Sequence, residues 1–336
     1  MSESGTVLVT GGAGYIGSHA VLAFGEAGYA VVVLDDLSTG VRENLPASVP
    51  FVQGDVADMM LVENVVRQHR IRHVVHFAGS IVVPESVENP LAYYRNNTAT
   101  SRNLLEVAVR TGVASFIFSS TAAVYGEPKV VPVREDAALE PANPYGRSKL
   151  MTEWMLRDVA AAHDLRYVAL RYFNVAGADP LGRTGQSTPR ATHLIKVACE
   201  AAVGARPFVQ VFGDDYPTAD GTCVRDYIHV ADLATAHVCA LRHLTAGGDN
   251  LTLNCGYGHG FSVREVLETV QKVAGRRLEI RDAPRRAGDP ARLVSDAGLI
   301  RRTFPSQPQY DDLDVIVRSA LGWERKLHVP QAMAGE

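Results

Sequence analysis

The chain has 336 residues, 46% of them hydrophobic and 21% charged, enough to bury the core of one large α/β domain or of a large and a small lobe. The formal net charge of -4 and the lack of basic runs argue against nucleic acid or an anionic membrane as the main partner. Residues 1–5 are polar and a short strand follows, so neither a signal peptide nor a membrane span is predicted.

Short β-branched runs alternate with longer helical patterns along the first half of the chain. Strands are predicted at 6–10, 30–34, 51–52, 73–77, 115–119 and 166–171. This alternation predicts an α/β fold, a Rossmann-like doubly wound parallel sheet with helices on both faces. From about residue 175 the rhythm loosens, and Gly and Pro cluster at 177–189, 213–221 and 284–290. We therefore expect a nucleotide-binding domain at 1–175 and a smaller substrate lobe at 176–336, interwoven with it.

The four cysteines stand at 199, 223, 239 and 255. They show no close pairing, which favours a reducing cytoplasm and core thiols and predicts no zinc site.

The first strand runs into glycines spaced three apart, Gly11, Gly14 and Gly17. Gly11 would permit a tight turn, Gly14 would let backbone amides approach a pyrophosphate, and Gly17 would let a helix pack closely on the sheet. Taken alone, this pattern could also mark any crowded strand-to-helix turn.

Two carboxylates follow predicted strands. Asp35 ends the second strand, where it would accept hydrogen bonds from an adenosine ribose and repel a 2′-phosphate, which favours NAD over NADP. Asp55 could meet the adenine amino group. Each could instead be an ordinary turn residue.

Tyr145 and Lys149 lie four positions apart, on one face of a predicted helix that begins at Asn143-Pro144. The pair could be a general base with an amine that acidifies it, or the exposed first turn of an ordinary helix. The strand at 115–119 ends in hydroxyl residues, including Ser119 and Thr121, at the edge where a parallel sheet presents ligands. Hydroxyl, phenol and amine would then converge on one alcohol, as in an oxidoreductase site.

Eight segments together resemble the extended short-chain dehydrogenase/reductase family and, within it, the UDP-glucose 4-epimerases. They lie in order between about residues 6 and 325, at 11–17 (GGAGYIG), 76–79 (HFAG), 93–97 (YYRNN), 118–121 (FSST), 143–149 (NPYGRSK), 170–174 (LRYFN), 220–229 (DGTCVRDYIH) and 284–289 (PRRAGD).

The resemblance implies a role for each matching residue. Tyr145 would be the base, Lys149 would anchor the nicotinamide ribose and lower the tyrosine pKa, and Thr121 would bond the reacting sugar oxygen. The residues implied for NAD binding are Gly11, Gly14, Tyr15, Ile16, Gly17, Asp35, Asp55, Val56, Phe77, Ala78, Asn96, Ser119, Tyr145, Lys149, Tyr172 and Phe173.

A second set would hold the UDP-sugar. Arg225 and Arg286 suit a diphosphate, because guanidinium groups pair with phosphate oxygens, although a lone arginine is more often a solvated surface residue. Asp289 would take the uridine ribose hydroxyls, with Tyr227 beside Arg225. The remaining residues are Asn174 at the sugar or its phosphate, and Leu194 and Phe212 around the uracil, both of which would also pass as core residues.

The implied reaction is the interconversion of UDP-glucose and UDP-galactose. Tyr145 as phenolate would take the proton of the sugar 4-hydroxyl while hydride leaves C4 for NAD. The 4-keto sugar would then swivel about its diphosphate and receive hydride on its other face. The tyrosine pKa would have to fall toward neutrality, with Lys149 and oxidised nicotinamide supplying positive charge.

Departures from the family pattern leave the sugar range open. Some relatives have a lysine where this chain has Ile81, so one cofactor contact is missing or supplied otherwise, which leaves NAD retention open. Leu293, at the position expected to gate sugar size, is neither bulky nor very small, so UDP-N-acetylhexosamines or UDP-pentoses are alternative substrates.

Two other functions are less compatible with the residues. A nucleotide-sugar dehydratase needs an acid and a base after the threonine, where Ala122 and Ala123 stand. A non-catalytic NAD sensor would not need the tyrosine, the lysine and both arginines.

By family analogy, helices at about 91–110 and 143–163 would form a homodimer. His76, His193 and His229 are interpreted as structural, and no metal is predicted.

Overall fold

The computed structural model describes residues 5–188, 191–286, 288–305 and 307–328, so residues 189 and 287 of two predicted loops lie outside it. Within these ranges the strands are β1 (Thr6–Thr10), β2 (Ala30–Asp35), β3 (Phe51–Gln53), β4 (Ile71–His76), β5 (Ser115–Thr121), β6 (Arg166–Tyr172), β7 (Asn174–Ala176), β8 (Val209–Phe212), β9 (Val224–Arg225), β10 (Tyr227–His229), β11 (Leu251–Cys255), β12 (Phe261–Ser262), β13 (Ile280–Ala283) and β14 (Arg292–Leu293).

The α-helices are α1 (Tyr15–Glu26), α2 (Met59–Gln68), α3 (Val83–Glu88), α4 (Pro90–Tyr93), α5 (Thr100–Thr111), α6 (Pro144–Ala162), α7 (Leu194–Val203), α8 (Val230–Thr245), α9 (Val263–Ala274), α10 (Gly298–Thr303) and α11 (Leu313–Leu327). A π-helical segment, Tyr94–Ala99, joins α4 to α5, and 3₁₀ turns occupy Arg42–Asn44 and Ala122–Tyr125.

Seven strands form one parallel sheet in the order β11-β6-β5-β4-β1-β2-β3. The predicted doubly wound sheet is confirmed, and each of the six predicted strands is present within about two residues of its expected bounds. The seventh strand, β11, was not predicted. It pairs with β6, Leu253 opposite Leu170, and so brings chain from the second half into the sheet.

Side chains of the central strands alternate between two buried faces, as the pleat requires. Val7 and Val9 of β1 pack into a core with Phe24 of α1, while Leu8 between them packs into a second core with Val62 of α2. Because helices cover both faces, the polar functional residues gather at the carboxyl edge of the sheet.

Three small sheets outside the main one carry four of the eight predicted substrate residues, Asn174, Phe212, Arg225 and Tyr227. β7 pairs with β10, β8 pairs with β13, and β9 pairs with β12 and β14. The domain division at residue 175 stays a prediction, although β11, from the second predicted part, joins the sheet of the first. Among the described helices, none combines the length and apolar character needed to span a membrane.

Candidate active site

The turn between β1 and α1 is too crowded for side chains at two of its glycines. Gly11 has φ +68°, and an added Cβ would lie 2.5 Å from the Ala78 nitrogen. A Cβ on Gly17 would lie 2.2 Å from the Gly11 oxygen. Gly14 is the N-cap of α1 and brings no side chain to the first N–H groups of the helix. Such an end attracts phosphate, through its N–H groups and the helix dipole.

Asp35 is buried at the end of β2, against this turn. Its two carboxylate oxygens accept from the N–H groups of Ala13 at 2.9 Å and Leu37 at 2.8 Å. Burial raises the pKa of the carboxyl, and those two N–H groups oppose the shift. The uncapped helix end and this carboxylate fit the pyrophosphate and the ribose of a dinucleotide.

The other residues predicted around the adenosine have different settings. Asp55 is exposed and accepts from the Ala57 N–H at 2.8 Å, the arrangement of a turn residue. Val56 beside it is buried. Tyr15 and Ile16 begin α1, and the Tyr15 hydroxyl donates to the Gly177 carbonyl at 2.7 Å.

Tyr145, Thr121 and Lys149 meet where α6 starts and β5 ends. Asn143 caps α6 by accepting from the Gly146 N–H at 2.9 Å, so Tyr145 lies in the first turn. The Thr121 side chain acts on the Tyr145 phenol and lowers its pKa, as a hydrogen-bond donor does. The Lys149 ammonium donates to the Ser119 carbonyl at 3.0 Å, and burial lowers its pKa to about 8.

The chain by itself does not show the predicted fall in the pKa of Tyr145. Burial raises the pKa of the phenol. The Thr121 side chain opposes this rise. The predicted fall requires the positive charge of bound NAD as well as Lys149, so it stays a prediction. The Lys149 ammonium also lies 5.1 Å from the centre of the Phe118 ring.

A buried asparagine that sequence reasoning missed supports the loop after β4. Asn97 accepts from the Ser80 N–H at 2.8 Å and donates to the Ser80 carbonyl at 3.0 Å. The predicted Asn96 is exposed and donates to the Ser80 hydroxyl at 2.8 Å. Both lie in the π-helical segment, a type of helix found often at functional sites.

This loop carries Phe77 and Ala78, whose N–H groups both bond the Thr10 carbonyl. Gly79 follows, and a Cβ there would lie 3.6 Å from the Lys149 ammonium nitrogen, so the loop borders the catalytic cluster. Ile81 is exposed.

Three predicted substrate residues, Asn174, Leu194 and Tyr227, line one cavity. Gln186 and Trp323 line it as well and were not predicted. No motif marks those two residues in the sequence, and they reach the cavity through the loop after β7 and through α11.

The remaining predicted substrate residues form two pairs. Arg225 and Asp289 make an ion pair with 3.7 Å between nitrogen and oxygen. The guanidinium carbon of Arg286 lies 3.8 Å from the centre of the Phe212 ring. The predicted phosphate arginine therefore stacks on the residue expected at the uracil.

Leu293 is buried in a small apolar cluster with Phe173 and Ala122, so the expected gate residue packs beside the residue that follows Thr121. Tyr172, next to Phe173, is also buried, and burial raises its pKa well above its usual value.

The histidines in the motif segments bond to neighbouring side chains. His76 bonds the hydroxyls of Thr10 at 2.7 Å and Ser101 at 2.9 Å, and burial lowers its pKa to about 3. His229 bonds Ser319 at 3.0 Å and His193 bonds Gln186 at 2.9 Å. All four cysteines are buried.

Comparisons with known proteins point to the same chemistry. The sequence profile of the NAD dependent epimerase/dehydratase family matches residues 7–256. A UDP-glucose 4-epimerase of Azospirillum brasilense is 60% identical over 99% of this chain and 96% of its own. The crystal structure of UDP-glucose 4-epimerase from Brucella ovis in complex with NAD is 45% identical and superposes with a TM-score of 0.92, covering 95% of this chain and 98% of the other. The UDP-Glc/GlcNAc 4-epimerase of Campylobacter jejuni is 49% identical with a TM-score of 0.84, covering 96% and 99%.

Proposed function

The chain belongs to the NAD dependent epimerase/dehydratase family, and from this premise we propose that it is a UDP-glucose 4-epimerase. It is an isomerase that interconverts UDP-glucose and UDP-galactose through a transient 4-keto sugar. The observation that carries the proposal is the convergence of Tyr145, Thr121 and a buried lysine where β5 ends and α6 begins, beside the glycine-rich turn.

Tyr145 is the group that moves the proton. Its phenol takes the proton of the sugar 4-hydroxyl and later returns it, while Thr121 orients the same sugar oxygen. NAD, held at the α1 end and by Asp35, would supply the hydride acceptor and donor at C4 and a positive charge near the phenol. Because burial raises the pKa of Tyr145 in the chain itself, that positive charge and Lys149 must act together to make the phenol a base.

The substrate residues explain how one base can serve both faces of the sugar. Arg225 and Arg286 hold the diphosphate, and Asp289 and Phe212 hold the uridine. A firm hold on UDP would leave the 4-keto ring free to swivel beside Tyr145 and Thr121. Hydride would then return to the opposite face of C4 while Tyr145 returns the proton to the sugar oxygen, which inverts C4 with no net redox change.

The test is the conversion of UDP-galactose by the purified protein without added nucleotide, compared with its Tyr145→Phe variant. We expect UDP-glucose from the wild type and a loss of at least about 100-fold in kcat from the variant, since the proton-transfer group is removed. An unchanged melting temperature would show that the variant is folded. Turnover by the variant at the wild-type rate would refute the role of Tyr145.

A parallel assay addresses the sugar range. UDP-N-acetylgalactosamine is included because the Campylobacter jejuni relative is described as a UDP-Glc/GlcNAc epimerase, and UDP-arabinose because Leu293 is of intermediate size. If the protein converts one of these sugars but not UDP-galactose, that sugar becomes the assigned substrate in place of UDP-glucose.

We also propose that the protein is a homodimer, and apolar exposure supports this. Trp154 on α6 is 46% exposed and Leu91 on α4 is 77% exposed, on the two helical regions expected to form the interface. Large exposed apolar side chains on neighbouring helices are typical of interaction surfaces. Light scattering should give twice the mass of one chain, and Trp154→Arg should lower it; a monomeric wild type would contradict the proposal.

A role in galactose metabolism in the cytoplasm follows from the proposed activity, and the buried thiols suit a reducing compartment. Deletion of the gene should block growth on galactose and leave growth on glucose unchanged.

A further inference from the structure

A second tyrosine and a histidine stand directly behind the catalytic cluster. Ser119 and Thr121 are two apart on β5 and so point to the same face. Tyr172 is paired with Thr121 across β5 and β6. The Tyr172 hydroxyl is hydrogen-bonded to Nε2 of His237, a fully buried residue of α8. The Ser119 side chain acts on the same phenol oxygen and lowers its pKa, as a hydrogen-bond donor does.

The donor and acceptor of each of these hydrogen bonds follow from the partner of His237 Nδ1. His237 Nδ1 lies 2.8 Å from the Leu233 carbonyl oxygen, which can only accept, so Nδ1 carries the proton. Burial lowers the pKa of His237 to about 4, so the ring is neutral near pH 7 and Nε2 is an acceptor. Tyr172 therefore donates to His237, and its oxygen accepts the Ser119 hydroxyl proton.

From this geometry we propose that Ser119, Tyr172 and His237 form a one-way hydrogen-bond chain that makes the Ser119 hydroxyl an acceptor toward the cleft. Ser119 is partly exposed, and its carbonyl accepts a hydrogen bond from the Lys149 ammonium. Its ligand is a donor group at the nicotinamide end of the cofactor, so the proposal rests on the proposed function. His237 is the positioning residue. It also packs on Phe77, with 4.9 Å between ring centres.

The tautomer of His237 can be read directly. In wild-type holoenzyme labelled with ¹⁵N-histidine, and with His237→Gln as the assignment control, NMR should show Nδ1 protonated and Nε2 unprotonated between about pH 6 and 9. A proton on Nε2 at these pH values would reverse the chain and overturn the proposal.

A double-mutant cycle tests the consequence for the cofactor. His237→Phe removes the acceptor, so Tyr172 would donate to Ser119 and turn the serine proton toward the cleft. We expect the Kd for NAD to rise about 10-fold, the loss of one hydrogen bond. In a Ser119→Ala background the same change should alter the Kd less than about 2-fold. An equal effect in both backgrounds would mean that His237 only packs, and would refute the proposal.

Tyr257→Phe is the matched control, since Tyr257 is also buried and its hydroxyl bonds a residue of α8, Asp232. It should lower the melting temperature and leave the Kd for NAD unchanged. None of these measurements uses a UDP-sugar. If the wild type fails to convert UDP-galactose, the proposed function is refuted. The His237 tautomer and the double-mutant cycle then still show whether the hydrogen-bond chain exists.

Discussion

Lys149 is 3% exposed, and the burial of its ammonium has a calculable effect on stability. Burial lowers its pKa from 10.5 to about 8. Below pH 8 both the folded and the unfolded states are protonated, and the folded state carries the full burial cost of roughly 3 kcal/mol. Between pH 8 and 10.5 the unfolded state binds more protons, so the free energy of unfolding rises with pH.

Replacing Lys149 by methionine should therefore stabilise the NAD-free protein near pH 7. We expect about 1–2 kcal/mol, because the bond to the Ser119 carbonyl is lost as well, at about 1 kcal/mol. The advantage should disappear as pH approaches 10.5. Urea denaturation of both proteins across this pH range measures the difference.

The control is Lys326→Met, whose exposed lysine also donates to a carbonyl, that of Gly182 at 2.9 Å. Its stability difference from wild type should not depend on pH. If the stability difference between Lys149→Met and wild type is also independent of pH, the buried ammonium does not have the free-energy cost assigned to it.

At the residue scale, spacing was sufficient to predict which side chains meet. Tyr145 and Lys149 share a helix face, and Thr121 ends the neighbouring strand, so local pattern brings all three together. The pKa of Tyr145 could not be predicted in the same way, because its direction depends on burial by distant parts of the chain. The pairing of Arg286 with Phe212 likewise depends on how the loop after β13 lies over β8.

Helix α1 contains two glycines whose replacement by alanine should have opposite effects. At Gly17 the new Cβ would lie 2.2 Å from the Gly11 oxygen, so the turn must shift and NAD binding should weaken about 100-fold or be lost. At Gly25 nothing lies within 4 Å of an added Cβ, so alanine should stabilise the helix by about 0.5–1 kcal/mol.

Isothermal titration with NAD and thermal melts of both variants check this pair. Full NAD affinity in Gly17→Ala would show that the turn adapts without cost. A Gly25→Ala variant less stable than wild type would contradict the free space around that position.

At the element scale, strands were predictable where β-branched runs alternate with helices, and less so elsewhere. β11 follows the long helix α8 and a polar turn. Its sequence, LTLNC, is short and mixes polar with apolar residues, so it does not predict a strand of the main sheet. Asn96 and Asn97 are adjacent in one motif, and only the π-helical winding decides which is buried.

At the scale of the whole molecule, the two predicted parts share one sheet and one site. β11 covers the edge of β6, with Leu170 and Leu253 both fully buried. α8 places His237 against Tyr172 and Phe77. A nucleotide-binding half without residues beyond 175 would therefore expose an apolar strand edge and lose a wall of the cofactor site.

A fragment of residues 1–175 should consequently not fold as an independent domain. When this fragment is expressed alone, we expect it to aggregate or to lack a cooperative melting transition. We also expect it to bind NAD at least about 100-fold more weakly than the full chain. Coexpression with residues 176–336 should restore soluble protein and NAD binding, since it returns β11 and α8 to the sheet. A fragment that melts cooperatively and binds NAD at full affinity would show instead that strands β1 to β6 need no contribution from the second half.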